Sequence, residues 1–219
     1  MSDSNWSPNP DPQLHRQPKS SLDLQLIVQL LRNPLTSLSL NPATQWLYGV
    51  LGIAASIVGF ALWTTTSVTS IFALFLNPLA GLGIGRGLGF SIYAGTFVRM
   101  IVLALVSQGV LIGSIWIFGN WLSGKKQDWR NLVTYLGGVQ WLFGGAFIVA
   151  AIIGLLLGQI GFLIASIALV LTIIFIVLTS LECYTFVSTE RKSQFLVYSI
   201  GVYILIVGIL STGLTRSII

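Results

Sequence analysis

Apolar residues run along this chain in long blocks separated by short polar breaks. Residues 46–63, 100–122 and 195–214 carry no charge, and residues 139–181 carry none from end to end. A single helix over 139–181 would be roughly 65 Å long, about twice the hydrocarbon core of a bilayer. That stretch is therefore read as two spans, 139–157 and about 160–181. A tight external turn is expected near Gly154, Gly158, Gln159 and Gly161. Five spans result. The first is bracketed by Trp46 and Trp63, which suits aromatic belts at the headgroups. It also carries Gly49, Gly52, Ala55 and Gly59, small residues that permit close helix contact. In the second span Gly109 and Gly113 form a G-x-x-x-G pair, a candidate helix-packing motif.

Two regions do not fit the block pattern. Residues 21–33 are too short to span. Leu24, Ile27, Val28 and Leu31 recur at helical spacing on one face, with Ser21, Gln25, Gln29 and Arg32 opposite. Ser20 or Ser21 can cap this helix, and Asn33-Pro34 ends it. It lies either in the membrane interface or with its apolar face on the bundle. A second Asn-Pro step, Asn41-Pro42, then turns the chain inward. Residues 64–98 open on Thr64, Thr65, Thr66, Ser67, Thr69 and Ser70, break at Asn77-Pro78, and continue into Gly81, Gly83, Gly85, Gly87 and Gly89. So many glycines make a regular lipid-exposed helix costly. The region is read as an extramembrane loop dipping into the interface. A re-entrant segment or a sixth span over 67–88 remains open.

The stretch 124–145, GKKQDWRNLVTYLGGVQWLFGG, is the tip of the hairpin between the second and third spans. Lys125, Lys126 and Arg130 cluster there. Asp128 can cap a short helix whose Trp129, Leu132, Val133 and Leu136 share an interfacial face. Gly137-Gly138 is expected to separate that turn from the third span.

Composition agrees with the pattern. The chain is 54% hydrophobic and only 8% charged, whereas a soluble domain carries about 25% charged residues. The net charge of +5 is spread between apolar spans, so no nucleic-acid surface is implied. With five spans and the N-terminus inside, the inner segments hold Arg16, Lys19, Arg32, Lys125, Lys126, Arg130, Arg191 and Lys192. The outer segments hold Arg86, Arg99 and Arg216. That is the bias expected of cytoplasmic loops, and a sixth span abolishes it. Residues 1–20, rich in Pro, Ser and Asn, read as a disordered tail with no cleavable signal.

Chemistry is sparse. His15 is the one histidine and Cys183 the one cysteine, so neither a zinc cluster nor an intrachain disulfide is expected. Cys183 reads as a packed residue near a helix end. Arg99 and Glu182 fall near opposite faces of the membrane and are not expected to pair. Gln108 and Gln140 are the notable polar residues of the spans, candidates for helix packing through hydrogen bonds, with Gln108 alternatively lining a pore. Counted from Leu122 and from a third span starting at Val139, their depths differ by roughly 20 Å, so they are not expected to bond to each other.

The order span, GKKQDW, RNLVTYLGG, span, preceded by LLRNP at 30–34, resembles the Yip-domain membrane proteins, in particular their bacterial branch. The resemblance covers about residues 24–214. The Asp-Leu-Tyr/Trp-Gly-Pro motif of the eukaryotic branch is absent, and Gly137-Gly138 stands where the family has a Gly-Tyr step. The resemblance implies a non-enzymatic integral membrane protein, a scaffold or adaptor, in a bacterial inner (plasma) membrane. A small transporter or channel subunit is the alternative. The expected class is all-α: a polytopic five-span bundle with a cytoplasmic N-terminus. Its parts are a polar tail (1–20), an amphipathic helix and turn (21–44) and a membrane domain (45–219). No cofactor, metal or nucleic acid is expected. The expected partners are membrane lipids and an unidentified membrane or cytoplasmic protein, and a homo-oligomer is compatible with the pattern. Lys125, Lys126, Trp129 and Arg130 are the candidate contact residues; Gly109, Gly113, Gln108 and Gln140 are the candidate packing residues.

Overall fold

A computed structural model describes the backbone of residues 23–80 and 88–216, and the side chains of 23–68 and 93–213. The tail 1–20, Ser20 and Ser21, the glycine-rich segment 81–87 with Arg86, and the side chain of Arg216 lie outside the described residues. The described chain is all helical. It runs α1 (Leu24–Arg32), a 3₁₀ segment (Pro34–Ser39), α2 (Pro42–Ala80), α3 (Leu88–Leu122), α4 (Trp129–Leu156), α5 (Gly158–Cys183) and α6 (Thr189–Arg216). Five of these are long and apolar enough to cross a membrane: Pro42–Val68, Tyr93–Leu122, Trp129–Leu156, Gly158–Cys183 and Thr189–Gly213. The antiparallel order puts the start of α2, the α3–α4 connection and the α5–α6 connection at one end. Arg32, Lys125, Lys126, Arg130, Arg191 and Lys192 all gather there, and it is called the basic end below. Arg99 lies about 35 Å along α3 from Leu122, toward the other end, and is exposed. Glu182 is exposed near the basic end, so the two stand apart as expected.

Residues 64–80 and 88–98 are helical, which corrects the loop expected over 64–98. The threonine run continues α2 because its hydroxyls bond back to the preceding turn. Thr64 donates to the Phe60 carbonyl at 2.8 Å and Thr66 to the Trp63 carbonyl at 2.8 Å. A hydroxyl satisfied in this way needs no water, so the polarity of the run does not force it out of the bilayer.

Helix α4 is the centre of the bundle. It packs along α2 on one side and α5 on the other, while α3 leans on α2 and carries α6. The α2–α4 contact is a backbone-to-backbone approach. A Cβ placed on Gly52 would collide with the Gly137 carbonyl oxygen and come 2.9 Å from Trp141 Cδ1. One placed on Gly137 would strike Gly49, 2.7 Å from its Cα. Gly137-Gly138 is therefore not a break. Both residues are buried inside a continuous α4, where lack of a side chain lets the helices close. The third span accordingly starts at Trp129, ten residues before its expected position. Asp128 is the N-cap residue, but its side chain makes no capping bond. Leu132 and Leu136, expected on an interfacial face, are each 1% exposed and pack with Ile115, Ile176, Cys183, Tyr184 and Phe195.

Gly109 and Gly113 have open space where a Cβ would stand, so their G-x-x-x-G pair packs against none of the described residues. Trp63 is also corrected. It is buried and stacks on Phe147 at 6.0 Å between centroids instead of facing a headgroup belt. Asp23, not Ser20 or Ser21, caps α1, accepting from the Gln25 N–H at 2.9 Å. Leu30 of α1 is buried with Leu40 and Tyr48 against Trp141, while Leu24 and Val28 remain exposed. The helix thus seats one edge on the bundle and turns another outward. The turn between the third and fourth spans falls where expected, on the single residue Leu157 between α4 and α5, with Gly161 packed on Gly154.

Candidate functional site: a tethered basic tip and a cleft between two lobes

The segment 123–128 joins α3 to α4, and Gln127 holds its backbone from both sides. The Gln127 N–H donates to Asn120 Oδ1 at 2.7 Å. Its carbonyl accepts from Asn120 Nδ2 and from Trp116 Nε1, each at 3.1 Å. Its side-chain amide donates to the Cys183 carbonyl at 2.8 Å and accepts from Asn131 Nδ2 at 3.2 Å. Two further bonds finish the turn: Ser123 Oγ to the Lys125 carbonyl at 2.7 Å, and the Gly124 N–H to the Thr185 carbonyl at 3.1 Å. The α3–α4 tip and the end of α5 are one hydrogen-bonded unit. Tyr184 in this unit is 3% exposed, and burial, with a smaller contribution from neighbouring Cys183, pushes its phenol far above the usual range.

The side chains of the tip point the other way. Lys125, Lys126, Trp129 and Arg130 are all exposed, and the Arg130 guanidinium lies 5.8 Å from the centroid of the Trp129 ring. Trp46, Trp116, Trp121 and Trp129 are all at least 40% exposed and all lie near the basic end. Exposed tryptophans at one level mark a membrane–water boundary. The four contact residues expected from sequence are thus neighbours in one tip. Gln127 and Asn120, which hold that tip, were not legible as positioning residues. A lone Asn near a span end and a Gln beside two lysines read as ordinary interfacial polarity.

Gln108 and Gln140 do meet, against expectation. Gln140 Nε2 donates to Gln108 Oε1 at 2.8 Å. With α4 starting at Trp129, Gln140 lies about 17 Å from the basic end and Gln108 about 21 Å, so their depths nearly match. Beside this pair a cleft of about 350 Å³ opens between the α2–α4–α5 lobe and the α3–α6 lobe. Gln108, Ser107, Ser199, Tyr203, Ser56 and Thr172 contribute its mid-depth polar groups, and Ser107 Oγ lies 3.0 Å from the Tyr203 hydroxyl. Ser199 and Tyr203, one helical turn apart on α6, were missed as site residues. The signal available was that polar i, i+4 spacing inside an apolar span. Among the described residues no group of His, Cys, Asp and Glu could hold a metal ion.

No protein-family model, curated protein or solved structure matches the chain.

Proposed function

We propose that this is a Yip-like, non-enzymatic multi-pass membrane protein of a bacterial inner membrane, working as a scaffold. Its basic tip would be the surface offered to anionic headgroups and to an acidic partner protein. The observation that carries this reading is the division of labour at residues 123–130. The segment is tied down by side chains of α3, by Asn131 of α4 and the Cys183 carbonyl through the Gln127 amide, and by the Thr185 carbonyl, while the side chains of Lys125, Lys126, Trp129 and Arg130 stand free of that network. A preorganised surface loses little conformational entropy when it is met. Each cation near an anionic surface adds about 1 kcal/mol. The gathering of cations at one end supports a cytoplasmic orientation for that end.

The test is crosslinking of the full-length protein in native membranes, followed by identification of the bound species. Charge reversal at Lys125, Lys126 and Arg130 together is expected to abolish partner recovery while the protein still inserts. Gln108→Leu is expected to leave recovery unchanged. A small transporter or channel subunit is the second reading, favoured by the cleft between the lobes. Saturable solute flux in liposomes, lost in Gln108→Leu, would displace the scaffold reading.

A further inference from the structure

Helices α5 and α6 are consecutive, yet they barely touch. Helix α6 is held mainly by α3, and by Phe195 near its start. The cleft between the lobes therefore reaches the gap between α5 and α6, lined there by Ile173 and Val177 of α5 and Ile200 and Ile204 of α6. Its volume falls at the lower end of the range for small-ligand sites, 300–1,000 Å³ or so. Its walls are apolar apart from a few hydroxyls and one amide, and no described lining residue is charged.

One of those hydroxyls is anomalous. Serines and threonines inside a helix ordinarily bond back to a carbonyl of the preceding turn. Thr172, Ser180 and Ser114 do so here. Ser199 does not: its residue is 2% exposed, its Oγ is buried with no protein partner, and it lines the cleft. An unpaired buried hydroxyl is costly, and a ligand oxygen would relieve that cost. Ser199 lies about 15 Å, and Tyr203 and Gln108 about 21 Å, from the basic end, which is the middle of a bilayer.

We propose that this cleft is a binding site for an uncharged lipid with a small oxygen-bearing head, a hydroxyl or carbonyl, entering sideways between α5 and α6. Ser199 and the free side of the Gln108 amide hold the head, and the apolar walls take the chain. A phospholipid does not fit this description, because its charged headgroup stays at the interface and the polar groups of the cleft are at mid-depth. A fatty acid is excluded as its carboxylate form, since no cation is there to pair with it.

The test uses the full-length protein in phosphatidylcholine nanodiscs and a diazirine-bearing C16 alcohol, with adducts mapped by peptide mass spectrometry. Saturable labelling is expected on the cleft faces of α3, α5 and α6. Unlabelled long-chain alcohol or ketone should compete, and added phospholipid should not. Ser199→Ala should weaken binding about fivefold, the factor carried by one ordinary hydrogen bond. Ile200→Trp should fill the cleft and abolish labelling; if that variant does not fold, Val207→Trp fills it from farther along α6. Reversal of the tip charges should leave labelling unchanged, which separates this site from the scaffold surface. Adducts spread over the outer helix faces, equal competition by phospholipid, or labelling that survives a folded cleft-filling variant would each overturn the proposal.

Discussion

Helices α2 and α3 both border α4, and they are held to it in different ways. Against α2 the contact is shape: Gly49 and Gly52 meet Gly137, and Gly59 meets Gly144, with no room for a single carbon. Against α3 the contact combines apolar packing near the basic end, where Leu132 and Leu136 share a cluster with Ile115, with two polar tethers: Gln140 to Gln108 in mid-membrane and, through the segment leading into α4, Gln127 to Asn120 at the tip. In lipid there is little hydrophobic drive between helices, so closeness comes either from small residues or from hydrogen bonds. The first mode leaves no space. The second fixes position while leaving a cleft open alongside. The same residue type makes the contrast plain, because a Cβ on Gly109 or Gly113 of α3, or on Gly201 or Gly208 of α6, would meet none of the described residues.

The sharpest way to break this contrast is to put the same side chain on both kinds of glycine. Gly137→Leu forces a side chain into the backbone of Gly49 and should cost about 3 kcal/mol or more. Thermal unfolding followed by circular dichroism in detergent would show it as a large fall in melting temperature or a loss of monodisperse protein. Gly109→Leu should fold and melt like the unsubstituted protein. Equal losses in the two would mean that Gly109, like Gly119 against the Tyr184 ring, is buried against something after all.

At the tip, Gln127→Ala removes the bonds to the Cys183 carbonyl and from Asn131, at a cost of about 1–2 kcal/mol. Hydrogen exchange at residues 123–128 should quicken while the α2–α4 core keeps its protection. Uniform quickening would show that the tip is not a separate unit. In mid-membrane, a double-mutant cycle on Gln108→Leu and Gln140→Leu should give a coupling of about 0.6 kcal/mol, the average for such pairs in lipid. Zero coupling would remove the tether and with it half of the comparison. The smallest effect is expected from Gly113→Ala: no loss, or a gain of up to about 0.8 kcal/mol from better helix propensity.

Hydropathy alone made the five spans legible, together with the basic tip and the turn near Gly154–Gly161, because each depends on runs of one chemical character. The small faces of α2 were also legible, since Gly49, Gly52 and Gly59 share helical spacing within one span. Three features were not. The helix through Thr64–Thr66 depends on hydroxyls bonding back to their own turn, and composition registers them as polar. Gly137-Gly138 looked like punctuation because only the presence of Gly49 and Ser37 opposite reveals why side chains are missing there. The glutamine pair was lost as a consequence: misplacing the start of α4 by ten residues shifted Gln140 by about 15 Å. At the candidate site the charged residues were visible from sequence. Gln127, Asn120 and Ser199 were not, because their roles are set by partners distant in the chain or by the lack of one.

The turn at Leu157 bears on how the protein enters its membrane. One residue separates α4 from α5, and the flanking Leu155, Leu156, Leu157, Ile160, Phe162 and Leu163 are all apolar and exposed. Beyond the helix ends and the exposed amide of Gln159, this corner offers little for water to hold. At the corner the Leu157 N–H donates to the Ile153 carbonyl, and the Leu157 carbonyl accepts from the N–H groups of Ile160 and Gly161, so inserting α4 first would leave the Leu157 carbonyl unpaired. Translocating a polar loop, the step that ordinarily separates one span from the next during synthesis, has no counterpart at this point in the chain. The two helices would then cross together as a preformed hairpin, with no charge carried over and the glycine contact at Gly154 and Gly161 already closed.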